Sequence, residues 1–428
     1  MTDVIYLVCA TTGESSTSKH GNSNKMHKWT RRPDGQWDHT YGRVGTPGVT
    51  HTVSESKMQS KMAEALRNGY KQVEVAADVG SGTVNGPAVA KADVRQKAID
   101  EIAGGDKDLA KFVGMLVDKN TREITTGTTL KLDTATGLFK TDGGIIVTRK
   151  VVDEARVLLG QIKKLVSLPG TKDQDQVACD YMMRIPTDIG RNRPTFRNVF
   201  PDKAAVDKQE QILDALLGSL DMLAKPAAKA DEPKVEAKKV WSVTMTPTDA
   251  TELKRITAKF HSTAQGMHAA VQAGLVPKRA WQLSISHMDE AFAADGAMIT
   301  PQHELWHGTR VGNLLSIFAR GLIIPPWADA GRMFGDGVYF APSSSKALNY
   351  SYGYWGGGGR DATCYMLLNT VATGRDFTPS GPGSWKAAPT GYDSVWARSG
   401  KSGVQNDEVI VYRASQAKIT RLIEFGAK

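Results

Sequence analysis

Cysteine is scarce in this chain: Cys9, Cys179 and Cys364 are the whole complement of 428 residues. Three thiols so far apart build neither a disulfide framework nor a four-ligand structural zinc site, so a reducing compartment fits and no metal is expected. Long apolar runs are missing too. Val4 to Ala10 lacks a basic leader and is too short to span a bilayer, so it reads as a strand rather than a signal peptide or membrane segment. A protein that stays inside the cell, away from membranes and as a monomer, is the expectation. Aromatics at 7% and charged residues at 23% are the balance of an ordinary folded chain, not a disordered one. Acidic residues are outnumbered, 45 against 54 Lys and Arg, leaving a net charge of +9. That excess favours a polyanionic partner such as nucleic acid through counterion release, with a solvated lysine-rich surface as the alternative.

At roughly 150 residues per domain, the length suggests about three modules. Residues 1–76 carry β-type stretches at Val4–Cys9, Lys25–Arg31, Gln36–Val44 and Val49–Val53, parted by Pro33-Asp34-Gly35 and Gly45-Thr46-Pro47-Gly48. A helix follows, with Ser54 as its cap, Met58, Met62, Ala65 and Leu66 on one face, and Gly69 as its stop. Residues 77–93 are small and Gly-rich, as a linker would be. Residues 94–223 read as a helical bundle, with apolar stripes at Val151, Val152, Ala155, Leu158, Leu159, Ile162, Leu165 and Val166 and from Ile212 to Leu223. Between these, Thr121 to Asp133 is Thr-rich and looks extended, as a loop or a small hairpin. Residues 224–239 form a second linker of mixed charge, too poor in apolar residues to pack. From 240 to 428, strands at Gln282–Ser286, Glu304–Gly308, Gly337–Ala341, Cys364–Val371, Glu408–Tyr412 and Arg421–Phe425 alternate with helices. The fold class expected is multidomain α+β: a small β-rich module with one helix, a central α-helical bundle, and a mixed α/β domain with antiparallel sheets and a cleft.

Four segments of the last module carry chemistry. They are Glu304-Leu305-Trp306-His307-Gly308-Thr309-Arg310, Gly331-Arg332-Met333-Phe334-Gly335-Asp336-Gly337-Val338-Tyr339-Phe340-Ala341, Lys346-Ala347-Leu348-Asn349-Tyr350 and Asn406-Asp407-Glu408-Val409-Ile410-Val411-Tyr412. Two tyrosine faces suit a flat pyridinium ring, since aromatic faces are electron-rich. A strand delivers Tyr339, and a helix capped near Ser343 or Ser344 returns Tyr350 to the same pocket. His307 adds a hydrogen-bonding imidazole, and Gly308 a backbone that a carboxamide can approach closely. Glu408 supplies the carboxylate that an oxocarbenium-like sugar centre needs. Taken singly, each has a plainer reading: a strand-edge glutamate, core tyrosines, a structural histidine. Their joint order is what points to a site.

In that order the segments resemble the catalytic domain of the poly(ADP-ribose) polymerase family, over residues 240–428. The resemblance implies an NAD-dependent ADP-ribosyltransferase fold, with NAD as substrate and nicotinamide released. It implies that His307 contacts the adenosine ribose, Gly308 holds the carboxamide, Tyr339 and Tyr350 sandwich nicotinamide, Lys346 lies early in the intervening helix and Glu408 is the catalytic glutamate. Thr309 and Asn313 complete the candidate cofactor-binding set, and Glu408, His307 and Tyr339 the candidate catalytic set. Upstream, residues 177–223 resemble the regulatory helical domain of DNA-dependent members. Residues 1–75 resemble their Trp-Gly-Arg module, here as Tyr41-Gly42-Arg43-Val44-Gly45. This implies contact with DNA strand breaks through Tyr41, Arg43 and Trp29, with acceptor proteins, including the chain itself, as the other partners. The compartment implied is a nucleus in a eukaryote, or the cytoplasm or nucleoid in a bacterium or virus.

The chain departs from the family pattern at named positions. Ala347 stands where a serine usually bonds the carboxamide, and Ile323 where many members place an arginine near the NAD phosphates. Gly218 replaces a frequent acidic helical residue, and the segment Pro325 to Arg332 makes a short donor-site lid. These keep two alternatives open: a DNA-end-binding scaffold with little turnover, and a DNA-independent mono-ADP-ribosyltransferase. Retention of Glu408 favours polymer extension in the leading reading.

Overall fold

A computed structural model describes residues 4–11, 23–44, 46–73, 94–133, 138–141, 146–168, 172–187, 195–223, 241–265, 272, 274–324, 332–352 and 363–427. Both expected linkers and the lid segment fall outside these, apart from Arg332. The contacts divide the chain into two compact units, Met1–Val94 with Lys119–Leu223, and Arg95–Asp118 with Ala224–Lys428.

The first unit opens with β1 (Val4–Thr11), β2 (Ser23–Arg31), β3 (Trp37–Arg43) and β4 (Val49–Val53), then α1 (Glu55–Arg67) and β5 (Lys71–Gln72). Alternation along these strands puts one set of apolar side chains on each face, and the antiparallel sheet runs β4-β3-β2-β1-β5. Leu7, Trp29, Trp37 and Val53 on one face bury Met58 and Ala65 of α1. Ser54 caps that helix by accepting the Lys57 amide, and Gly69 leaves it at a φ of 85°, a conformation glycine adopts without strain.

Two helices then follow, α2 (Val94–Ala103) and α3 (Lys107–Gly127), and the boundary between units falls within α3. Helix α3 corrects the expectation for Thr121 to Asp133, because residues up to Gly127 are helical and only Lys131–Leu132 (β6) pairs as a short hairpin with Phe139–Lys140 (β7). Each β-branched threonine costs a helix roughly 0.5 kcal/mol against alanine, whereas burying an isoleucine contributes about 2 kcal/mol. Phe112, Val113, Leu116, Val117, Asn120 and Ile124 continue one buried stripe, so burial outweighs propensity. Thr125 also satisfies its hydroxyl on the Thr121 carbonyl at 2.9 Å.

Helices α4 (Arg149–Leu165), α5 (Lys172–Arg184), α6 (Phe196–Val199) and α7 (Lys203–Leu223) complete the unit. The expected stripe of α4 is buried at Val152, Ala155, Leu159 and Ile162, and α4 packs on α5 and α7. Helix α5 also lies against β1, with Lys71 and Asp180 paired at 2.7 Å.

The second unit holds β8 (Val243–Pro247), α8 (Ala250–Ser262), β9 (Leu275–Ile285), α9 (Ser286–Ala294), β10 (Gln302–Gly308), α10 (Leu314–Arg320), β11 (Val338–Phe340), α11 (Ser344–Tyr352) and β12 (Thr363–Ala372). It ends with β13 (Asp376–Phe377), β14 (Ser394–Ala397), β15 (Glu408–Val411) and β16 (Ala417–Ala427). One antiparallel sheet runs β10-β12-β16-β9-β8; the other runs β11-β15-β14-β13, antiparallel except for the β13–β14 pair. The multidomain α+β class expected from the sequence is what the chain adopts. Paired amide–carbonyl bonds of 3.0 and 2.9 Å between Trp306 and Ala341 join the sheets where β10 meets β11. That junction sits over a core of Phe260, Trp306, Leu348, Met366, Ile423 and Phe425, all fully buried. Among the described residues no helix is long and apolar enough to cross a membrane.

Candidate active site

The sheet junction brings the four chemistry-bearing segments together. Because β10 and β11 are bridged at Trp306 and Ala341, the next residue along β10 faces the backbone of β11. His307 Nδ1 lies 2.9 Å from the Tyr339 carbonyl. A carbonyl only accepts, so Nδ1 carries the proton and Nε2 is left as an acceptor. Burial holds this imidazole below its ordinary pKa, with the carbonyl acting weakly the other way, so the ring is neutral near pH 7.

Gly308 is required by what packs on it. A Cβ there would lie 1.8 Å from the Ala347 carbonyl oxygen and 3.1 Å from Tyr350 Cβ, so α11 rests directly on the glycine. The same approach brings Tyr350 beside the His307–Gly308 strand end. Helix α11 begins as expected, with the Lys346 amide donating to Ser343 Oγ at 3.4 Å. Thr309 is tied to the end of this helix, its amide donating to Ser351 Oγ at 3.1 Å, and Asn313 donates to Thr309 Oγ1 at 3.2 Å.

Tyr339 is oriented by its hydroxyl, which donates to the Gly335 carbonyl at 2.9 Å and accepts the Phe334 amide at 3.0 Å. The turn supplying both groups has Gly335 at a φ of 83°, its α-carbon against the Trp385 backbone, where a Cβ would come within 1.9 Å of a carbonyl oxygen. Burial first, and the charge of Glu408 also, push the Tyr339 phenol up, so it stays protonated. Tyr350 is 52% exposed, yet the protein around it and the Glu408 charge push its phenol up to about 12. Among the described residues neither tyrosine stacks on another ring.

Glu408 opens β15 and is 9% exposed. Its carboxylate pairs with Lys346, whose ammonium also reaches the Asn406 carbonyl at 3.5 Å. His307, Gly308, Tyr339, Lys346, Tyr350 and Glu408 therefore form one linked set drawn from β10, β11, α11 and β15. Ser351, Asn406 and the Gly335 turn support that set and were not foreseen. Asn406 and Gly335 lay within the chemistry-bearing segments with no role read for them; Ser351 and the turn act through backbone contacts that leave no residue-type signal.

Of the departures, Ala347 is 2% exposed and packed into the core, with its carbonyl against Gly308. Gly218 is buried in α7, and Ile323 lies just before the undescribed segment.

The residues expected to touch nucleic acid lie in the other unit. Tyr41 is 39% exposed, and Arg43 follows it two residues on along β3. Trp29 is fully buried, stacked on His39 with ring centroids 4.8 Å apart. Its ring belongs to the core that holds α1, so the expectation that Trp29 contacts DNA is corrected. Among the described residues no cluster of three or more His, Cys, Asp or Glu could hold a metal ion.

Residues 250–411 match the poly(ADP-ribose) polymerase catalytic domain. A poly(ADP-ribose) polymerase-like protein of invertebrate iridescent virus 6 is 30% identical over 134 residues, 28% of this chain and 68% of that one. The protein mono-ADP-ribosyltransferase PARP4 of Mus musculus is 33% identical over 140 residues, 28% of this chain and 7% of that one. Poly(ADP-ribose) polymerase 2 of Homo sapiens is 31% identical over 208 residues, 46% of this chain and 33% of that one. The chain thus spans a small part of the mouse relative and a third of the human one.

Proposed function

We propose, from the premise that this chain belongs to the poly(ADP-ribose) polymerase family, that it is an NAD-dependent ADP-ribosyltransferase acting on proteins, itself among them. The observation that carries this reading is the linked set around Glu408, in which His307 is fixed on the Tyr339 backbone, Gly308 lies against the helix that carries Lys346 and Tyr350, and Lys346 pairs with the Glu408 carboxylate. Nicotinamide lies between Tyr339 and Tyr350, its carboxamide on the Gly308 backbone. His307 takes a ribose hydroxyl on Nε2, since Nδ1 is already committed. Glu408 accepts the 2′-hydroxyl of the nicotinamide ribose and steadies the positive charge as the C1′–N bond breaks. An acceptor nucleophile then bonds C1′ and loses its proton, and nicotinamide leaves.

Residues 1–76 act as a DNA-end module of the Trp-Gly-Arg type, on the strength of exposed Tyr41 followed by Arg43 and of the net charge of +9. Residues 94–223 act as the regulatory helical domain, and DNA contact stimulates polymer formation by the domain at 240–428. A second reading, DNA-independent mono-ADP-ribosylation, draws on the likeness to the mouse mono-ADP-ribosyltransferase. Incubating the full chain with labelled NAD, with and without nicked duplex, separates the two. Long polymer appearing only with DNA is the expected result. Single-residue modification at equal rates in both arms replaces it with the second reading, and no incorporation in either arm refutes both.

A further inference from the structure

The residue before the glutamate has a task of its own. The β14–β15 ladder begins at the Ala397–Glu408 pair, so no ladder bond fixes the chain on the N-terminal side of Glu408. A hairpin from Arg398 to Asp407 feeds into that position. Left to itself, a loop of this length would let the first strand residue fray.

Asp407 closes the gap. Asp407 immediately precedes β15, and its carboxylate is taken by Trp396 and Ser399 while that of Glu408 is taken by Lys346. Both oxygens are used: Oδ2 accepts the Trp396 indole N–H at 2.9 Å, and Oδ1 accepts the Ser399 amide at 2.9 Å. The loop is further closed by Ser399 Oγ, which donates to the Gln405 carbonyl at 2.9 Å. Trp396 is itself held on two sides, by the Arg398 guanidinium 5.0 Å from its ring and by the edge of His303 at 5.2 Å. Arg398 is anchored in turn on Asp376 at 2.6 Å. His303 stands on β10, the strand that ends in His307 and Gly308. One indole therefore spans the histidine strand and the glutamate hairpin, and Asp407 fastens the hairpin to it.

We infer that Asp407 is a positioning residue for the reaction: with Trp396 as its donor, it sets where the Glu408 backbone starts and so where the Glu408 carboxylate sits against the ribose. This rests on Glu408 acting at the reacting ribose. Lys346 holds the carboxylate end of Glu408, and Asp407 holds its main-chain end. Asp407 does not touch substrate. Its removal leaves nicotinamide binding intact and degrades alignment in the transition state.

The test is steady-state nicotinamide release by the full chain carrying Asp407→Asn, Trp396→Phe, both together, or Glu408→Gln. Asparagine keeps one acceptor and turns an NH2 group toward a donor. Expected is a fall in kcat of about 10- to 100-fold, the scale of an ångström-level misplacement, with KM for NAD within about twofold of wild type. Trp396→Phe keeps an aromatic ring and loses the N–H donor together with the second ring of the indole, so it lowers kcat and covers the case in which Asp407→Asn fails to fold. The double variant should lose less than the product of the two single effects, since the Asp407–Trp396 bond is common to both. An unchanged kcat for Asp407→Asn and Trp396→Phe beside an inactive Glu408→Gln overturns the inference alone. A rise in KM at constant kcat overturns it too. Turnover retained by Glu408→Gln removes the reading beneath it as well.

Discussion

In the N-terminal sheet Trp29, His39, Tyr41 and His51 pack ring against ring in series, at centroid distances of 4.8, 5.2 and 5.8 Å, the middle pair tilted. In the C-terminal unit Tyr339 and Tyr350 stack on no other ring among the described residues. The first arrangement spends aromatic surface on the fold: Trp29 is fully buried and His39 is 2% exposed, with only the Tyr41 end reaching solvent. The second leaves more of it uncovered. Tyr339 is oriented by its hydroxyl while its ring packs partly on the cluster of Phe334, Val395, Ile410 and Tyr412, and Tyr350 is held by the helix resting on Gly308 and stays half exposed.

Substitution separates the two uses most sharply. Trp29→Ala empties a buried site and should destabilise the N-terminal unit by about 3–5 kcal/mol, whereas Tyr350→Ala should leave thermal stability almost unchanged. The cleft variant should instead lose NAD affinity by roughly 10-fold, since base–aromatic stacking contributes about 1–3 kcal/mol per ring. Calorimetric unfolding beside NAD titration of both variants checks this. A Trp29→Ala protein of native stability, or a Tyr350→Ala protein that unfolds early, would erase the distinction.

A smaller effect concerns the histidines. His27 Nδ1 and His39 Nε2 are 2.8 Å apart, so one nitrogen donates and the other must be unprotonated. Burial first, then the charges of His27, Lys61 and His51, lower His39 to about 4; burial and Lys61 also lower His27, against Glu64. The unfolded chain, with ordinary histidines near 6.5, takes up protons before the folded one does. The stability that neutral His39 contributes is therefore full above about 6.5 and is lost as pH falls from there toward 4. His39→Gln should flatten that part of the melting-temperature profile of the N-terminal unit, and an identical acid slope in the variant would assign the loss elsewhere.

What the sequence disclosed follows the same division. The order of His307, Tyr339, Tyr350 and Glu408 is what carries the proposal of a site, because a substrate would demand particular residue types in a particular order, and the apolar face of α4 was legible because burial repeats with the helix. Trp29 was misjudged because residue type says an indole can stack but not on what. Thr121 to Gly127 was misjudged because local propensity is worth less than one buried isoleucine. Ser351, the Gly335 turn and the Asp407–Trp396 bond depend on which strands become neighbours, and spacing along the chain does not carry that.

The central claim is that Glu408 acts on bond cleavage in a cleft whose tyrosines do the binding. The direct measurement is NAD binding and nicotinamide release by Glu408→Gln in one preparation, compared with wild type. Binding within a fewfold of wild type, with release slowed by about 100-fold or more, is the result expected for a lost catalytic carboxylate. Release at the wild-type rate would contradict the account.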